Sequence, residues 1–313
     1  MKTSLPAAGA LVLALTTSAC AATDDQALPP SASAAGTAPS AATSNGKPGA
    51  TWWKPARGQS WQIQYSGALD TSVKASVYNL DWEGTSTKTV TALHRRNIKV
   101  ICYINAGGYE QWRPDAKKFP ASTLGKPLDD WPGERWLDVR QRAKLAPIMA
   151  KRMDVCKAKG FDAVDPDNMD GYAATSGFPI KQSDAVAYQR QLIADAHKRG
   201  LAIGLKNSLE ILPQLQTSID FAVNEECVAY DECDRYAPML AANKPVFNVE
   251  YSGSAASVCS RVPKGEHDHQ APRADGQAHR LLTYARGCLG RAGLSARVMR
   301  AGWSAHGLLP SLA

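Results

Sequence analysis

An α/β fold of the (β/α)8 TIM-type barrel class is what this sequence predicts, on three observations. Short runs of β-branched and apolar residues recur along the chain with turn signals around them, eight in all. Most of these runs are apolar at successive positions rather than alternate ones, as parallel strands covered on both faces should be. Amphipathic stretches of helical length lie between them, and eight such strands in one domain favour a closed barrel over an open sheet.

The strand candidates start at Trp61 (WQIQY), Val77 (VYNL), Lys99 (KVICYI), Phe161 (FDAVD), Ala202 (AIGLK), Asp220 (DFAVN), Val246 (VFNVE) and Leu294 (LSARVM). Among the helices, Ser86 to Asn97 puts Val90, Leu93 and His94 on one side. Pro147 to Lys159 stripes Met149, Met153 and Cys156 at helical spacing and meets Gly160, a residue suited to end it. Ser183 fits the N-cap of a helix running through Leu192 and Ala196 to Gly200. Only 16 residues separate Trp61 from Val77, too few for a strand and a covering helix, so a loop is expected there.

Residues 1–20 read as an export leader: Lys2 is followed by an apolar run, Ala7 to Leu15, too short to span a bilayer. Thr17-Ser18-Ala19-Cys20 resembles a bacterial lipoprotein box, whose cysteine becomes the lipidated first residue. Residues 21–50 are mostly Ala, Ser, Thr, Pro and Gly, which bury too little apolar surface to offset ordering entropy, and read as a disordered linker. Residues 51–313 then form the barrel domain. The expected location is secreted or lipid-anchored at the cell envelope, with a lipid on Cys20 as the only membrane contact.

With Cys20 set aside, six cysteines remain, an even number that suits disulfides in an oxidising compartment. Proximity along the chain suggests Cys102 with Cys156, Cys227 with Cys233, and Cys259 with Cys288. No pair has the two-residue spacing of a zinc knuckle, so no metal is expected. The net charge of +7 does not point to nucleic acid, because the basic residues form no dense run interleaved with aromatics.

Polar clusters follow nearly every strand candidate: Asp81-Trp82-Glu83, Asn105 through Arg113, Asp165 to Asp170, Lys206-Asn207, Asn224-Glu225-Glu226 and Glu250-Tyr251-Ser252. Loops at that end of a barrel converge on one opening. A purely structural barrel has no reason to gather so many carboxylates at one rim, where they repel each other. Two carboxyls on separate strand ends are the equipment for cleaving a glycosidic bond, one as acid and the other as nucleophile or base. Trp52, Trp53, Trp61, Trp82, Trp112 and Tyr109 offer flat faces for sugar rings.

Within the acidic run, Asp167 is the candidate for acid or nucleophile, while Asp165 and Asp170 orient neighbours or bind substrate amines. The alternating carboxylates also resemble a calcium loop, but Pro166 and the missing twelve-residue pattern argue against one. Between Glu225 and Glu226 the residues alone do not choose. Further substrate contacts are expected from Asp81, Tyr103, Asn105, Tyr109, Trp112, Asn168, Asn207, Glu250 and Tyr251; Lys206 fits a substrate contact or a structural ion pair equally. The histidines are scattered or lie in a loop around His267 and His269 away from the rim, which excludes a histidine-based triad. Arg140, just ahead of a helix, reads as structural.

The segments GFDAVDPDNMDGY, VICYINAG, GERWLDVR, LAIGLKN, FAVNEEC and PVFNVEYS resemble, across residues 51 to 253, the endo-α-1,4-polygalactosaminidase family, glycoside hydrolase family 114. The resemblance implies a barrel enzyme, secreted or surface-held, that hydrolyses α-1,4-linked galactosamine polymers without a cofactor, and it places the acidic pair on Asp167 and Glu225. Two departures stand out: Asn79-Leu80-Asp81-Trp82-Glu83-Gly84 replaces a second Asp-rich run, and the chain after Ser254 matches poorly. A polymer with free amines is cationic, and a rim carrying Asp81, Asp165, Asp167, Asp170, Glu225, Glu226 and Glu250 would attract it. The expected partner is therefore a cationic polysaccharide, and the protein itself is expected to be a monomer. The alternatives are a carbohydrate-binding surface protein without turnover and a hydrolase of another amino-sugar polymer.

Overall fold

β-Branched and aromatic residues occupy the strands of the computed structural model, which describes residues 51–129, 131–261 and 268–269. The wall strands are β1 (Trp61–Gln64), β2 (Val77–Asp81) and β3 (Lys99–Asn105). After an inserted sheet of β4 (Gly108–Glu110), β5 (Leu124–Pro127) and β6 (Glu134–Leu137) come β7 (Ala163–Asp167), β8 (Ala202–Lys206), β9 (Phe221–Glu225), β10 (Val246–Val249) and β11 (Asp268–His269). The wall runs β1-β2-β3-β7-β8-β9-β10-β11, every neighbouring pair parallel. Helices α1 (Thr87–His94), α2 (Arg142–Lys159), α3 (Gln182–Lys198), α4 (Leu212–Leu215), α5 (Ala237–Ala241) and α6 (Ala255–Arg261) lie between strands. The result is a nearly closed parallel barrel of the (β/α)8 class.

The period of two along each strand divides the wall into an inner and an outer face. Trp61, Val77, Ile101, Ala163, Ala202, Phe221, Val223, Phe247 and Val249 pack together inside the barrel. The intervening residues Tyr78, Leu80, Val100, Cys102, Ile104, Val164, Ile203, Leu205, Ala222 and Val246 pack outward against buried helix residues such as Val90, Leu93, Met149, Met153 and Leu192. Continuing the inner series towards the C-terminal end brings Asp165 and Asp167 on β7, Lys206 on β8 and Glu225 on β9 to the mouth. Gly204, on the same series, is required by packing: a Cβ there would overlap the Phe221 ring.

Several local readings need correction. Helix α2 starts at Arg142, so Pro147 lies in its second turn instead of opening it. The proline forfeits one i−4 hydrogen bond, which burial of Leu145, Ile148 and Met149 offsets. Gly160 closes α2 in the left-handed conformation, φ 94°. The N-cap of α3 is Lys181 in place of Ser183, and Asp184 accepts from the Lys181 backbone N–H at 2.9 Å. Ser86 caps α1, accepting from Thr89 N–H, and the chain from 65 to 76 carries no helix, as its length requires. The eighth wall strand is Asp268–His269, paired with Phe247 and Asn248, so His269 belongs to the wall and not to a remote loop. The strand expected at Leu294, the leader, the linker and the Cys259–Cys288 pairing lie outside the described residues.

Two disulfides follow the pairing that chain proximity suggests. Cys102–Cys156 joins β3 to α2, and Cys227–Cys233 closes a short loop beyond β9. Between β3 and α2 the antiparallel sheet β4-β6-β5 folds over the barrel mouth. Gly107 permits its approach, because a Cβ at that position would overlap the carbonyl oxygen of Asn168.

Candidate active site

Three neighbouring strands end in the same way. Asp167 is followed by Asn168 at φ 59°, Lys206 by Asn207 at φ 47°, and Glu225 by Glu226 at φ 63°. Left-handed backbone at a non-glycine residue carries strain. Here each such turn reverses the chain sharply after a side chain that points into the mouth.

Lys206 lies between the two acids. Its Nζ is 3.2 Å from Asp167 Oδ1 and 3.3 Å from Glu225 Oε2. The lysine is buried at 3% exposure, whereas the Asp167 and Glu225 side chains are 18% and 29% exposed, so the carboxyls face solvent and the ammonium supports them from below. Burial alone would lower the lysine pKa, but the charges of Asp167, Glu225 and Asp165 hold it well above its usual value. Burial likewise raises Glu225, yet Lys206 and the hydrogen bonds from Tyr251 and Asn207 outweigh it and hold this carboxyl below its ordinary value.

Each acid has a second set of donors. Tyr103 Oη donates to Asp167 Oδ2 at 2.9 Å, and Asn168 N–H donates to Oδ1 at 2.8 Å. Tyr251 Oη donates to Glu225 Oε1, and Asn207 Nδ2 to Oε2 at 3.0 Å. Below Tyr103 stacks Tyr65, ring centroids 3.9 Å apart, and Tyr65 Oη donates to Asp165 at 3.2 Å. Asp165 is fully buried, accepts from Asn79 Nδ2 at 2.7 Å, and is pushed up to about 6, first by burial and then by nearby Asp167 against the pull of Lys206. Buried in this way it orients its neighbours, one of the two roles expected of it, and does not line the mouth as a contact would. Both of its donors, Tyr65 and Asn79, go to Oδ2. Among the described residues no group of three or more His, Cys, Asp or Glu could hold a metal.

Other rim residues divide in the same manner. Asp81 is buried in a two-pronged pair with Arg113, 2.9 and 2.6 Å, so it anchors the inserted sheet to β2. Glu250 is buried beneath Val228 and Ala229, whose N–H groups it accepts at 2.8 and 3.3 Å. Asn105 is buried and links Asn168 to Glu134: Asn168 Nδ2 donates to its Oδ1 and its Nδ2 donates to Glu134 Oε2, both at 2.9 Å. These three therefore support the mouth from within instead of lining it. Tyr109 is half-buried and packs edge-on to Phe119, 5.6 Å between centroids. Asp170 is half-exposed beside the pair, its carboxyl raised by burial and by Asp167. Trp112 stands exposed. Arg140 pairs with Asp138 at 2.7 Å.

Trp52, Trp61 and Trp82 do not stand at the mouth. Trp61 fills the barrel interior and Trp82 is buried under Arg113 and Arg152. Trp52 stacks on His197 and donates to Asp220, which precedes β9 and so marks the opposite end of the barrel. A cavity of about 620 Å³ lies there, but its basic side chains are already engaged: Lys54 and His197 hold Asp220, and Lys244 holds the carbonyls of Gln216, Thr217 and Ile219. The solvent-facing carboxyls are at the mouth, so chemistry and not cavity volume locates the site. Tyr65 and Glu134 are the site residues that sequence reasoning missed. Glu134, on β6, is pushed up to about 7 by burial and then by Glu110 and Asp167.

A profile of the glycoside-hydrolase family GH114 matches residues 41–279. The chain belongs to glycoside hydrolase family 114. This family-114 enzyme is 40% identical to Ega3 of Aspergillus fumigatus, whose crystal structure is a complex with galactosamine; the match covers 70% of this chain and 93% of that one, TM-score 0.67. The glycoside hydrolase domain of PelA from Pseudomonas aeruginosa shares the fold at 14% identity, over 68% of this chain and 94% of its own, TM-score 0.53. No curated protein matches the chain. The family-114 enzyme is thus a glycoside hydrolase on a (β/α)8 barrel.

Proposed function

We propose that this glycoside hydrolase cleaves α-1,4-linked, galactosamine-containing polysaccharide at internal bonds, with Asp167 and Glu225 as its catalytic carboxyls. The observation that carries the reading is the single ammonium of Lys206 held between the two exposed acids at the ends of β7 and β9. The galactosamine in the complex of a 40% identical relative supports the sugar class. The distances of 3.2 and 3.3 Å, laid end to end, bound the separation of the two oxygens. That bound only reaches the lower edge of the roughly 6.5 to 9.5 Å an inverting enzyme leaves for its water, which favours retention of configuration. In a retaining reaction one carboxylate attacks the anomeric carbon while the other carboxyl, protonated, gives its proton to the departing oxygen; that group, now ionised, takes a proton from the water that releases the sugar from the first.

The test is to incubate the full chain with partially deacetylated galactosamine polymer. The expected products at early times are oligosaccharides of many lengths, and the anomer first released should match that of the cleaved bond. Asp167→Asn and Glu225→Gln should each lower kcat by roughly a thousandfold or more while polymer binding persists. Binding without any hydrolysis by the unaltered chain would favour a carbohydrate-binding surface protein instead. The leader-like residues 1–20 and the paired cysteines support action outside the cytoplasm, as a monomer secreted or held by lipid on Cys20, with the linker of residues 21–50 as tether. Loss of fatty-acid labelling in Cys20→Ser checks the anchor.

A further inference from the structure

Among the described residues three large hydrophobic side chains stand exposed: Trp112 at 53%, Trp131 at 47% and Tyr230 at 69%. All three lie on loops at the mouth. Scattered exposed apolar residues need no explanation, but aromatics gathered at one face do. Trp112 and Trp131 belong to the inserted sheet after β3. Gln111 N–H donates to the Gly133 carbonyl at 3.1 Å, so the two tryptophans leave adjacent ends of paired strands. Trp131 is also tied to the site, because its carbonyl accepts Glu134 N–H at 3.0 Å and Glu134 reaches Asn105.

Tyr230 occupies the loop after β9, between Cys227 and Cys233, which are joined as a disulfide. Glu250 holds the Val228 and Ala229 N–H groups from beneath, and Tyr230 N–H donates to the Glu226 carbonyl at 2.9 Å. A largely exposed ring has no folding reason to stand on a backbone held so firmly; a binding platform does, since prior ordering lowers the entropy lost on binding. In the wall β3 and β9 are separated by β7 and β8, which carry Asp167 and Lys206. Glu225 ends β9 itself, so one aromatic arm follows β3, the neighbour of the strand that carries Asp167, and the other follows the strand that carries Glu225.

We propose that Trp131 and Tyr230, with Trp112, are platforms on which amino-sugar residues beyond the cleaved linkage stack, one arm beside each acid of the catalytic pair. This rests on the reading that the ligand is a galactosamine polymer. The apolar face of each sugar ring covers an aromatic ring, and a 2-ammonium group over the π face adds a cation–π contact. Two arms hold a chain that continues past the cut in both directions, which is the binding an internally cleaving enzyme needs.

The test is affinity electrophoresis of the full-length protein in gels containing deacetylated galactosamine polymer, alongside hydrolysis of a short chromogenic galactosaminide that reaches only the cleaved linkage. Trp131→Ala and Tyr230→Ala should each weaken polymer retardation, and raise the KM for polymer, by roughly three- to tenfold. The double variant should lose most of its retardation, Tyr230→Phe should behave as the unaltered protein, and turnover of the short substrate should stay within about twofold. Thermal unfolding of the variants, whose altered side chains are exposed, should be unchanged. Retardation of the double variant equal to that of the unaltered protein overturns the platforms, and so does an equal loss on short and long substrates. If the unaltered protein is retarded but cuts nothing, the hydrolytic reading fails while the platforms stand; if it cuts but is not retarded, the platforms fail alone.

Discussion

Glu134 illustrates how one side chain couples site geometry to stability. Buried at 8% exposure, it accepts a hydrogen bond from Asn105, but burial and the charges of Glu110 and Asp167 push it to about 7, against the pull of Asn105 and Arg113. An acid whose pKa rises on folding favours the folded state most below its unfolded value of 4.5, and that contribution is lost as pH rises towards 7. At about 1.4 kcal/mol per unit, the loss is on the order of 2 to 3 kcal/mol. Glu134→Gln keeps an acceptor for Asn105 and cannot ionise. Chemical unfolding should show the variant gaining on the unaltered protein by that amount between pH 4.5 and 7; a gap that does not change with pH refutes the account. At this scale the sequence showed the acids and amides that end strands, because their position after an apolar run is local information. It did not show Glu134 or Tyr65. Glu134 stands in a mixed strand with no period, and the partner of Tyr65, Asp165, is a hundred residues away. Sequence reasoning assigned Asp167 and Asp165 different roles but not their different burial, since the two stand two residues apart on the same face of β7.

Elements carry the next distinction, between what holds the barrel and what shapes its mouth. The Cys102–Cys156 bridge closes 54 residues and pins β3 to α2 in the core; Cys227–Cys233 closes 6 and pins only the Tyr230 loop. Loop-closure entropy assigns about 4 kcal/mol to the first and about 2 to the second. Cys102→Ala with Cys156→Ala should lower the urea midpoint markedly while leaving KM nearly unmoved. Cys227→Ala with Cys233→Ala should lower the midpoint by about half as much and raise KM, because a loosened loop no longer holds the Tyr230 backbone. Equal shifts of midpoint and KM in both pairs would contradict this division. Seven of the eight wall strands were legible because covered parallel strands are apolar runs bounded by turns; Asp268–His269 was not, being two polar residues long. The inserted sheet was not, since GYE, LGKP and ERWL are three or four residues long and carry no alternation. The start of α2 was misplaced because a proline usually opens a helix, and only tertiary burial of Leu145 and Ile148 explains why five residues precede it.

Over the whole molecule, charge is where composition misleads. The net charge is +7, which at long range repels a cationic polymer, and the residues after Ser254 hold eight Lys/Arg against three Asp/Glu. The mouth has the opposite sign, but less strongly than its carboxylates suggest: Arg113 neutralises Asp81, Glu250 is bound by backbone N–H groups, and Lys206 offsets one of Asp167 and Glu225. Asp170 and the ionised fraction of Glu134 remain to tip the balance towards attraction. Close fields in a partly enclosed site are screened less than distant surface charge, so the mouth governs capture of the polymer. Salt decides between the two fields. From roughly 10 to roughly 150 mM salt the Debye length shrinks from about 30 to about 8 Å. If the mouth governs, KM for deacetylated polymer rises severalfold over that range while kcat holds, and an acetylated, uncharged polymer shows no such trend. If the global charge governs, added salt relieves repulsion and KM falls, which would remove electrostatic capture as the basis for preferring a cationic chain.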